Sequence, residues 1–248
     1  MKRLIHTELL KQRTTRTSFA GVVAVPLVAG LISVAVLNTA GRDDNDPLGP
    51  GTLARVIGAP AGVITVMALM LGVFAMAGEY RHRTITTTFL ATPRRRDVIV
   101  SKLIAQSLTG VVMAVLSLGI SLGIAVPWLI SSDVSLHVDA EVLRVTAGLV
   151  VSTSLYGALG VSIGALVRNQ TAAAATALVW QLAIEGLVSD IFHGYAFVRW
   201  LPAEAGRAMV HIGSSDGLSS PVAAAVFVAY VVLLAMVSVR FTLRRDVN

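Results

Sequence analysis

The chain has 248 residues and a formal net charge of +6, yet only 14% of its residues are charged and 55% are hydrophobic. Soluble domains carry about 25% charged residues, so this composition excludes an ordinary soluble domain. The absence of cysteine excludes disulfide frameworks, cysteine metal clusters and thiol catalysis.

The apolar residues occur in six blocks, each close to the ~20 residues that a helix needs to cross a bilayer. In chain order the predicted spans cover residues 19–38, 56–77, 103–130, 145–167, 171–192 and 221–239. An α-helix satisfies its own backbone hydrogen bonds in lipid. The blocks therefore predict an all-α polytopic protein, a single transmembrane domain over residues 1–248.

An arm of 18 residues precedes the first span. Leu4, Ile5 and Leu9, together with Met1, fall roughly on one helical face. Among the basic residues that give the arm its positive charge are Lys2, Lys11, Arg13 and Arg16. This pattern predicts a short helix in the membrane interface beside anionic lipid, or a basic anchor that only sets topology. The two interpretations are compatible.

The loops between the spans differ in charge. The loops on one side, with both terminal segments, contain fifteen Lys and Arg residues, and the loops on the other side contain five. Positive residues accumulate on the cytoplasmic side of a membrane. The bias predicts that both termini and the segment 78–102 are cytoplasmic. This charge bias between the loops also explains the basic composition better than nucleic-acid binding does.

The segment 78–102, GEYRHRTITTTFLATPRRRDVIVSK, has the densest charge in the chain. Its candidate functional residues are Glu79, Arg81, Arg83, Thr84, Phe89, Leu90, Pro93, Arg94, Arg95 and Arg96. A residue before proline avoids the helical conformation, so Thr92-Pro93 predicts a break. Phe89 and Leu90 between charged flanks predict a short helix that docks a soluble partner. The alternative is a solvated basic loop.

Two further features lie inside the predicted spans. Glu185 and Asp190 interrupt the fifth span, and a carboxylate in lipid is costly and often functional. We considered a role at a translocation path or dimer seam, and alternatively a place beside a re-entrant segment with a partner such as Arg199. Small residues four apart allow helices to approach closely. Such pairs predict packing inside the subunit or a dimer face, and they occur at Gly58/Gly62, Gly119/Gly123 and Gly160/Gly164.

The order of several short motifs resembles the permease subunits of type-2 ABC exporters, particularly actinobacterial members. After the second span, an E-x-R-x-x-T-like segment and a basic stretch read Glu79, Arg81, Thr84, Pro93, Arg94, Arg95 and Lys102. The opening of the chain matches at Glu8, Lys11, Arg13, Thr14, Thr15 and Arg16. Before the last span, Trp200-Leu201-Pro202 and Ala205 resemble an L-P-x-x-A segment. This chain has His82-Arg83-Thr84 where the family usually has Gly-Thr.

The resemblance implies a permease that exports a substrate across the bacterial cytoplasmic membrane. It implies two cytoplasmic ATPase subunits and a second permease copy or homologue as partners. The arm would be an interfacial connecting helix, and the segment 78–102 would contain a coupling helix. Short re-entrant helices, including Phe192–Trp200, would lie between the fifth and sixth spans.

The chain has no nucleotide-binding motif of its own. A P-loop needs a lysine after glycine, and none of Lys2, Lys11 and Lys102 follows one. The five histidines form no H-E-x-x-H motif. We therefore expect no enzyme activity and no cofactor in this chain, with ATP and magnesium on the partner. The alternatives are an ion-coupled secondary transporter and a membrane scaffold or immunity protein without transport.

Overall fold

The computed structural model describes residues 1–40, 48–49, 51–84, 94–192, 195–210 and 217–244, apart from the side chains of Arg95 and of residues 241–244. Its α-helices are α1 Lys2–Thr14, α2 Arg16–Ala40, α3 Thr52–Gly58, α4 Ala61–Arg81, α5 Arg95–Ser131, α6 Ala140–Val167, α7 Gln170–Val179, α8 Glu185–Ile191, α9 Pro202–Val210 and α10 Ser220–Arg244. A π-helical segment, Trp180–Ile184, joins α7 to α8, and a 3-10 helix, Ala196–Trp200, precedes α9. The described ranges contain no β-strand.

Within these ranges, six helical stretches are long and apolar enough to cross a membrane. These are spans 1 to 6: Arg16–Ala40, Thr52–Arg81, Arg96–Ser131, Ala140–Val167, Gln170–Ile191 and Ser220–Arg240. The predicted all-α polytopic fold with six crossing helices is therefore confirmed.

Three of the spans depart from a simple helix of membrane length. Span 2 breaks between α3 and α4 at Pro60, whose nitrogen has no hydrogen to donate to the helix. Helix α5 has 37 residues and is about 55 Å long at 1.5 Å per residue, so it extends beyond the ~30 Å hydrocarbon core. Span 5 changes to π-helical geometry at Trp180, just before the carboxylate of Glu185.

Helices α4 and α6 form the centre of the bundle, and their backbones touch. A Cβ atom on Gly72 would lie 2.2 Å from the carbonyl oxygen of Gly157, and one on Gly160 would lie 2.1 Å from that of Leu69. Only glycine permits this approach. The pair Gly160/Gly164 therefore packs inside the subunit, since Gly164 also faces α4.

The pair Gly119/Gly123 behaves differently, although its spacing is the same. A Cβ atom on either residue would meet no described atom within 4 Å. Both glycines lie on an exposed side of α5. The four-residue spacing therefore marks a close helix contact at Gly160/Gly164 and none within the described subunit at Gly119/Gly123.

The chain between spans 5 and 6 folds back onto the bundle. Helix α9 packs against α6 and α10, and a Cβ atom on Gly206 would lie 2.6 Å from the hydroxyl oxygen of Tyr156. Tyr156 stands near the middle of α6, so α9 reaches well into the bundle. The 3-10 helix occupies part of the predicted segment Phe192–Trp200, and residues 193–194 lie outside the described ranges.

Candidate functional site

Four charged side chains form a closed ring where α1, α4 and α5 meet. Glu8 Oε1 accepts a hydrogen bond from Lys11 Nζ at 2.7 Å, and Glu8 Oε2 accepts one from Lys102 Nζ at 2.6 Å. Glu79 Oε1 completes the ring by accepting from Lys102 Nζ at 2.7 Å and from Lys11 Nζ at 2.9 Å. We call these four residues the charge quartet. Its two positive and two negative groups sum to zero formal charge.

Lys102 is the central member of the charge quartet. It is among the largest fully buried side chains in the described structure, with a relative exposure of 1%. Its Nζ also donates to the carbonyl oxygen of Ala75 at 3.3 Å, one turn of α4 before Glu79. A buried ammonium group is costly unless it is paired and hydrogen-bonded, and here three oxygen atoms receive its three N–H groups.

Lys11 forms the solvent side of the charge quartet. Burial acts to lower the pKa of Lys11, but its hydrogen bonds and charge attraction to Glu8 and Glu79 outweigh this, so the pKa is raised above its ordinary value. A raised pKa means that the contribution of this group to stability is present at neutral pH. That contribution is lost only in alkali, as pH rises through the folded-state pKa.

A second polar contact joins the arm to α5. Gln12 Nε2 donates to Gln106 Oε1 at 2.8 Å, and the hydroxyl of Thr109 donates to Gln12 Oε1. Gln12 lies one turn after Glu8, so both side chains leave the same face of α1. The predicted apolar face of the arm also contacts protein, since Leu4, Ile5 and Leu9 are half-buried. Met1, by contrast, is exposed. The bonds of Gln12 and the half-buried apolar residues together show that α1 docks on α5 through a face that is partly polar.

Helix α4 ends near the start of the segment 78–102, and its last residues form a tight turn. Arg83 has a left-handed backbone with φ of 56°. The N–H of Thr84 bonds the carbonyl of Glu79 at 3.0 Å, and that of Arg83 bonds the carbonyl of Tyr80 at 3.3 Å. This pair of bonds is a Schellman ending, in which glycine usually takes the left-handed position. The departure from the family's Gly-Thr therefore keeps the turn and places an arginine in a strained conformation.

The other predicted residues of this segment are placed as follows. Arg81 lies at the end of α4 and donates to Gln170 Oε1 at 3.3 Å. Arg94 and Arg96 are exposed at the start of α5, and no side chain is described for Arg95. The predicted docking helix, with Phe89, Leu90 and Pro93, lies outside the described residues. The roles of all these residues therefore stay predictions.

The residues of the arm divide between two surroundings. Glu8 and Lys11 enter the charge quartet, whereas Arg13, near the end of α1, and Arg16, at the start of α2, are exposed. All four members of the charge quartet belong to motifs that resemble the family, and those motifs lie in separate parts of the sequence. Nothing in their spacing indicated that they meet, because Glu8 and Lys102 are 94 positions apart. Gln12, Gln106 and Thr109 were missed altogether.

The sequence comparisons identify the family of this chain. The family model described as ABC-2 family transporter protein matches residues 5–247. The chain belongs to the ABC-2 transporter family. A search of curated proteins found no match to it. The match begins within α1 and continues through α10, so the ABC-2 assignment includes most of the arm and all six spans.

In this ABC-2 transporter, the carboxylate of Glu185 in span 5 caps helix α9. Glu185 Oε2 accepts from the backbone N–H of Ala203, at the start of α9, and Oε1 accepts from Trp180 Nε1, both at 2.5 Å. The π-helical turn places Trp180 and Glu185, five positions apart, on one face. A carboxylate at a helix N-terminus is also favoured by the helix dipole.

The arginine partner considered for Glu185 is absent from the described structure. In the described ranges no lysine or arginine nitrogen lies within 4.0 Å of its carboxylate. Both oxygens instead accept from N–H groups within the subunit. Asp190 lies exposed near the end of α8. The described residues also contain no cluster of three or more His, Asp or Glu side chains that would hold a metal ion.

We expect Glu185→Gln to lower the free energy of unfolding and to leave transport nearly unchanged. Glutamine keeps one acceptor oxygen and turns an NH2 group toward either Trp180 or Ala203, so one of the two bonds to a charged acceptor is lost. Such a bond contributes about 1.5–3 kcal/mol. Thermal unfolding of the purified ABC-2 transporter should show this loss, while transport per folded molecule changes less than about twofold.

The control for this substitution is Asp190→Asn, which removes an exposed carboxylate from the same helix and should leave unfolding unchanged. Loss of transport in a Glu185→Gln protein of unchanged stability would contradict the capping role. It would favour a place for this carboxylate on the translocation path.

Proposed function

We propose that this ABC-2 transporter is the membrane-spanning permease of an ATP-driven export system in the bacterial cytoplasmic membrane. Two ATPase subunits would bind the cytoplasmic face, and a second permease copy or homologue would complete the assembly. Both termini and the segment 78–102 would face the cytoplasm. Family membership and the fifteen-to-five distribution of basic residues support this arrangement.

The charge quartet is the observation that carries the proposal. Glu79 and Lys102 stand near the two ends of the segment 78–102, and their side chains bond each other at 2.7 Å. Both also bond residues of α1. A displacement of this segment by an ATPase would therefore act on the arm, on the end of span 2 and on the start of span 3 together. The ion pairs of the buried Lys102 are stronger than pairs in water, so the charge quartet would hold these three elements together during such a displacement.

Each part of the proposed system has a distinct task. The ATPase would bind ATP and magnesium, since this chain has no P-loop lysine. The chain itself would contribute the six spans and the charge quartet. Its arm would move with spans 2 and 3, because Lys11 bonds Glu79 of α4 and Glu8 bonds Lys102 of α5. ATP-driven movement of the ATPases would then rearrange the spans and release substrate on the outer side.

The absence of cysteine permits a direct test of the partner and of the orientation. A single Arg96→Cys change, at an exposed position near the start of α5, would carry a photoactivatable thiol cross-linker in native membranes. We expect an adduct with a polypeptide whose mass-spectrometric sequence contains G-x-x-x-x-G-K-[ST]. Vanadate-sensitive ATP hydrolysis should accompany the complex.

The matched control is Ser135→Cys, which lies in the exposed turn between spans 3 and 4. It should give no such adduct and should react with a membrane-impermeant maleimide from outside intact cells. Labelling of the cysteine at position 96 from outside would overturn the orientation. Adducts at position 96 without any P-loop protein would overturn the ATPase partnership.

A further inference from the structure

A cavity of about 660 Å³ lies between α4, α6, the π-helical segment and α9. Its volume is within the range of sites for drug-sized molecules. The walls are mostly apolar and include Ala61, Val63, Val66, Met67, Leu182 and Val210. Val63 and Leu182 are exposed, so apolar surface faces this space. A phospholipid with two acyl chains is too large to be enclosed in it.

Three polar side chains converge on the cavity. The hydroxyl oxygen of Tyr156 accepts from Gln181 Nε2 at 3.0 Å, which leaves the hydroxyl hydrogen as a donor. The π-helical turn carries both Gln181 and Leu182 to the cavity wall, and such turns often occur at functional sites. Arg207 lines the cavity from α9.

The charge on the cavity wall comes from Arg207, which forms an ion pair with Glu204. Arg207 is the only ionisable cation among the described lining residues, and none of them is acidic. Glu204, one turn before it on α9, accepts from Arg207 at 2.8 Å and thereby orients the guanidinium. A guanidinium has five N–H donors, so one bond to Glu204 leaves donors for a ligand. Hydrogen bonds from a guanidinium to an anion are charge-assisted and about twice as strong as those between neutral groups.

We propose that this cavity binds an apolar, drug-sized molecule that carries an acidic group. The acidic group would lie against Arg207, within reach of the Tyr156 hydroxyl, and the apolar body would contact the walls from α4 and Leu182. The inference rests on the proposed transport function, for which it names the class of substrate. The chemistry required is one negative charge joined to an apolar frame of rings or a short chain.

A matched pair of fluorescent probes tests the role of charge. The probe 1-anilinonaphthalene-8-sulfonate is anionic, and N-phenyl-1-naphthylamine is the same frame without the sulfonate. Binding to the full chain in nanodiscs is measured by energy transfer from Trp180, beside Gln181, after Trp128→Phe and Trp200→Phe remove the other two tryptophans. Empty nanodiscs provide the background from lipid.

Arg207→Gln should weaken binding of the anionic probe about tenfold, which corresponds to loss of one bond between charged groups. It should change binding of the neutral probe less than about twofold, and that unchanged affinity shows that the cavity is still folded. Glu204→Gln should strengthen binding of the anionic probe, because the competing carboxylate is removed. Gly62→Leu should weaken both probes, since the new side chain would enter space where no described atom lies within 4 Å of its Cβ.

The proposal would be overturned if Arg207→Gln weakened the binding of both probes equally. It would also be overturned if none of the three variants changed the affinity for the anionic probe. Either result leaves the cross-linking test of the ATPase partner unaffected. Conversely, charge-selective binding in a protein that captures no ATPase would support the cavity assignment while removing ATP as the energy source.

Discussion

Replacing Lys102 with methionine is expected to weaken the docking of the arm on the bundle and to abolish transport by the proposed ATP-driven system. The substitution removes the most buried member of the charge quartet and leaves the carboxylates of Glu8 and Glu79 with Lys11 as their only common partner. Breaking a buried ion pair by removing one charge costs about 3–5 kcal/mol. Transport should be lost although most of the protein stays folded, because the bond from Lys102 of α5 to Glu8 of α1 is removed and only Lys11 still joins α1 to the segment 78–102.

Two measurements distinguish release of the arm from general unfolding. Limited trypsin digestion at Arg13 and Arg16 in inside-out vesicles should become faster, since both follow the docked part of α1. Thermal unfolding of the purified protein should show the loss of stability. The double variant Glu8→Gln/Lys102→Gln removes one charge of each sign, and it should be less destabilised than the sum of the two single variants.

The matched control is Arg96→Met, which removes an exposed cation from the same helix and should change unfolding by no more than about 0.5 kcal/mol. A Lys102→Met protein that transports normally, with unchanged digestion at Arg13, would show that the charge quartet does not couple the arm to the spans.

Replacing Gly160 with valine is expected to prevent assembly of the central helix pair. Its Cβ atom would lie 2.1 Å from the carbonyl oxygen of Leu69. Because that neighbour is backbone, no change of side-chain rotamer relieves the contact, and α4 and α6 must separate. Overpacking typically costs about 1–3 kcal/mol and occasionally more, and a clash with backbone belongs at the upper end of that range. We expect little monodisperse protein by size-exclusion chromatography and a large fall in the unfolding temperature.

The same substitution at Gly119 is the matched control, because both glycines belong to a pair with four-residue spacing. A Cβ atom at Gly119 would meet no described atom within 4 Å, so Gly119→Val should leave the unfolding temperature of the subunit nearly unchanged. Equal damage from both substitutions would contradict the helix packing described above. It would indicate that Gly119 faces another molecule.

The charged residues illustrate how far motifs predict a site. Glu8, Lys11, Glu79 and Lys102 each belonged to a stretch that resembles the family, and so the sequence predicted that these stretches matter. The ring that they form depends on the docking of α1 against α4 and α5, and no local spacing encodes that contact. Gln12 and Gln106 carried no signal, because an isolated glutamine is equally suited to a solvated surface.

Glu185 illustrates the same limit inside the membrane. A carboxylate in an apolar run indicates that some partner must be present, because burying it alone is costly. An arginine was a reasonable expectation from charge. The partners are instead the backbone N–H of Ala203 and the indole of Trp180, and a backbone group cannot be recognised from residue identity.

The sequence by itself determined the six crossing helices and the distribution of charge between the two faces. Both follow from local composition, since each span needs only enough consecutive apolar residues to satisfy the thickness of the lipid core. The tertiary structure alone decided which glycines touch, how four distant charges close into one ring and which groups satisfy Glu185. Those contacts join residues far apart in the chain, and their energies depend on geometry that composition does not contain.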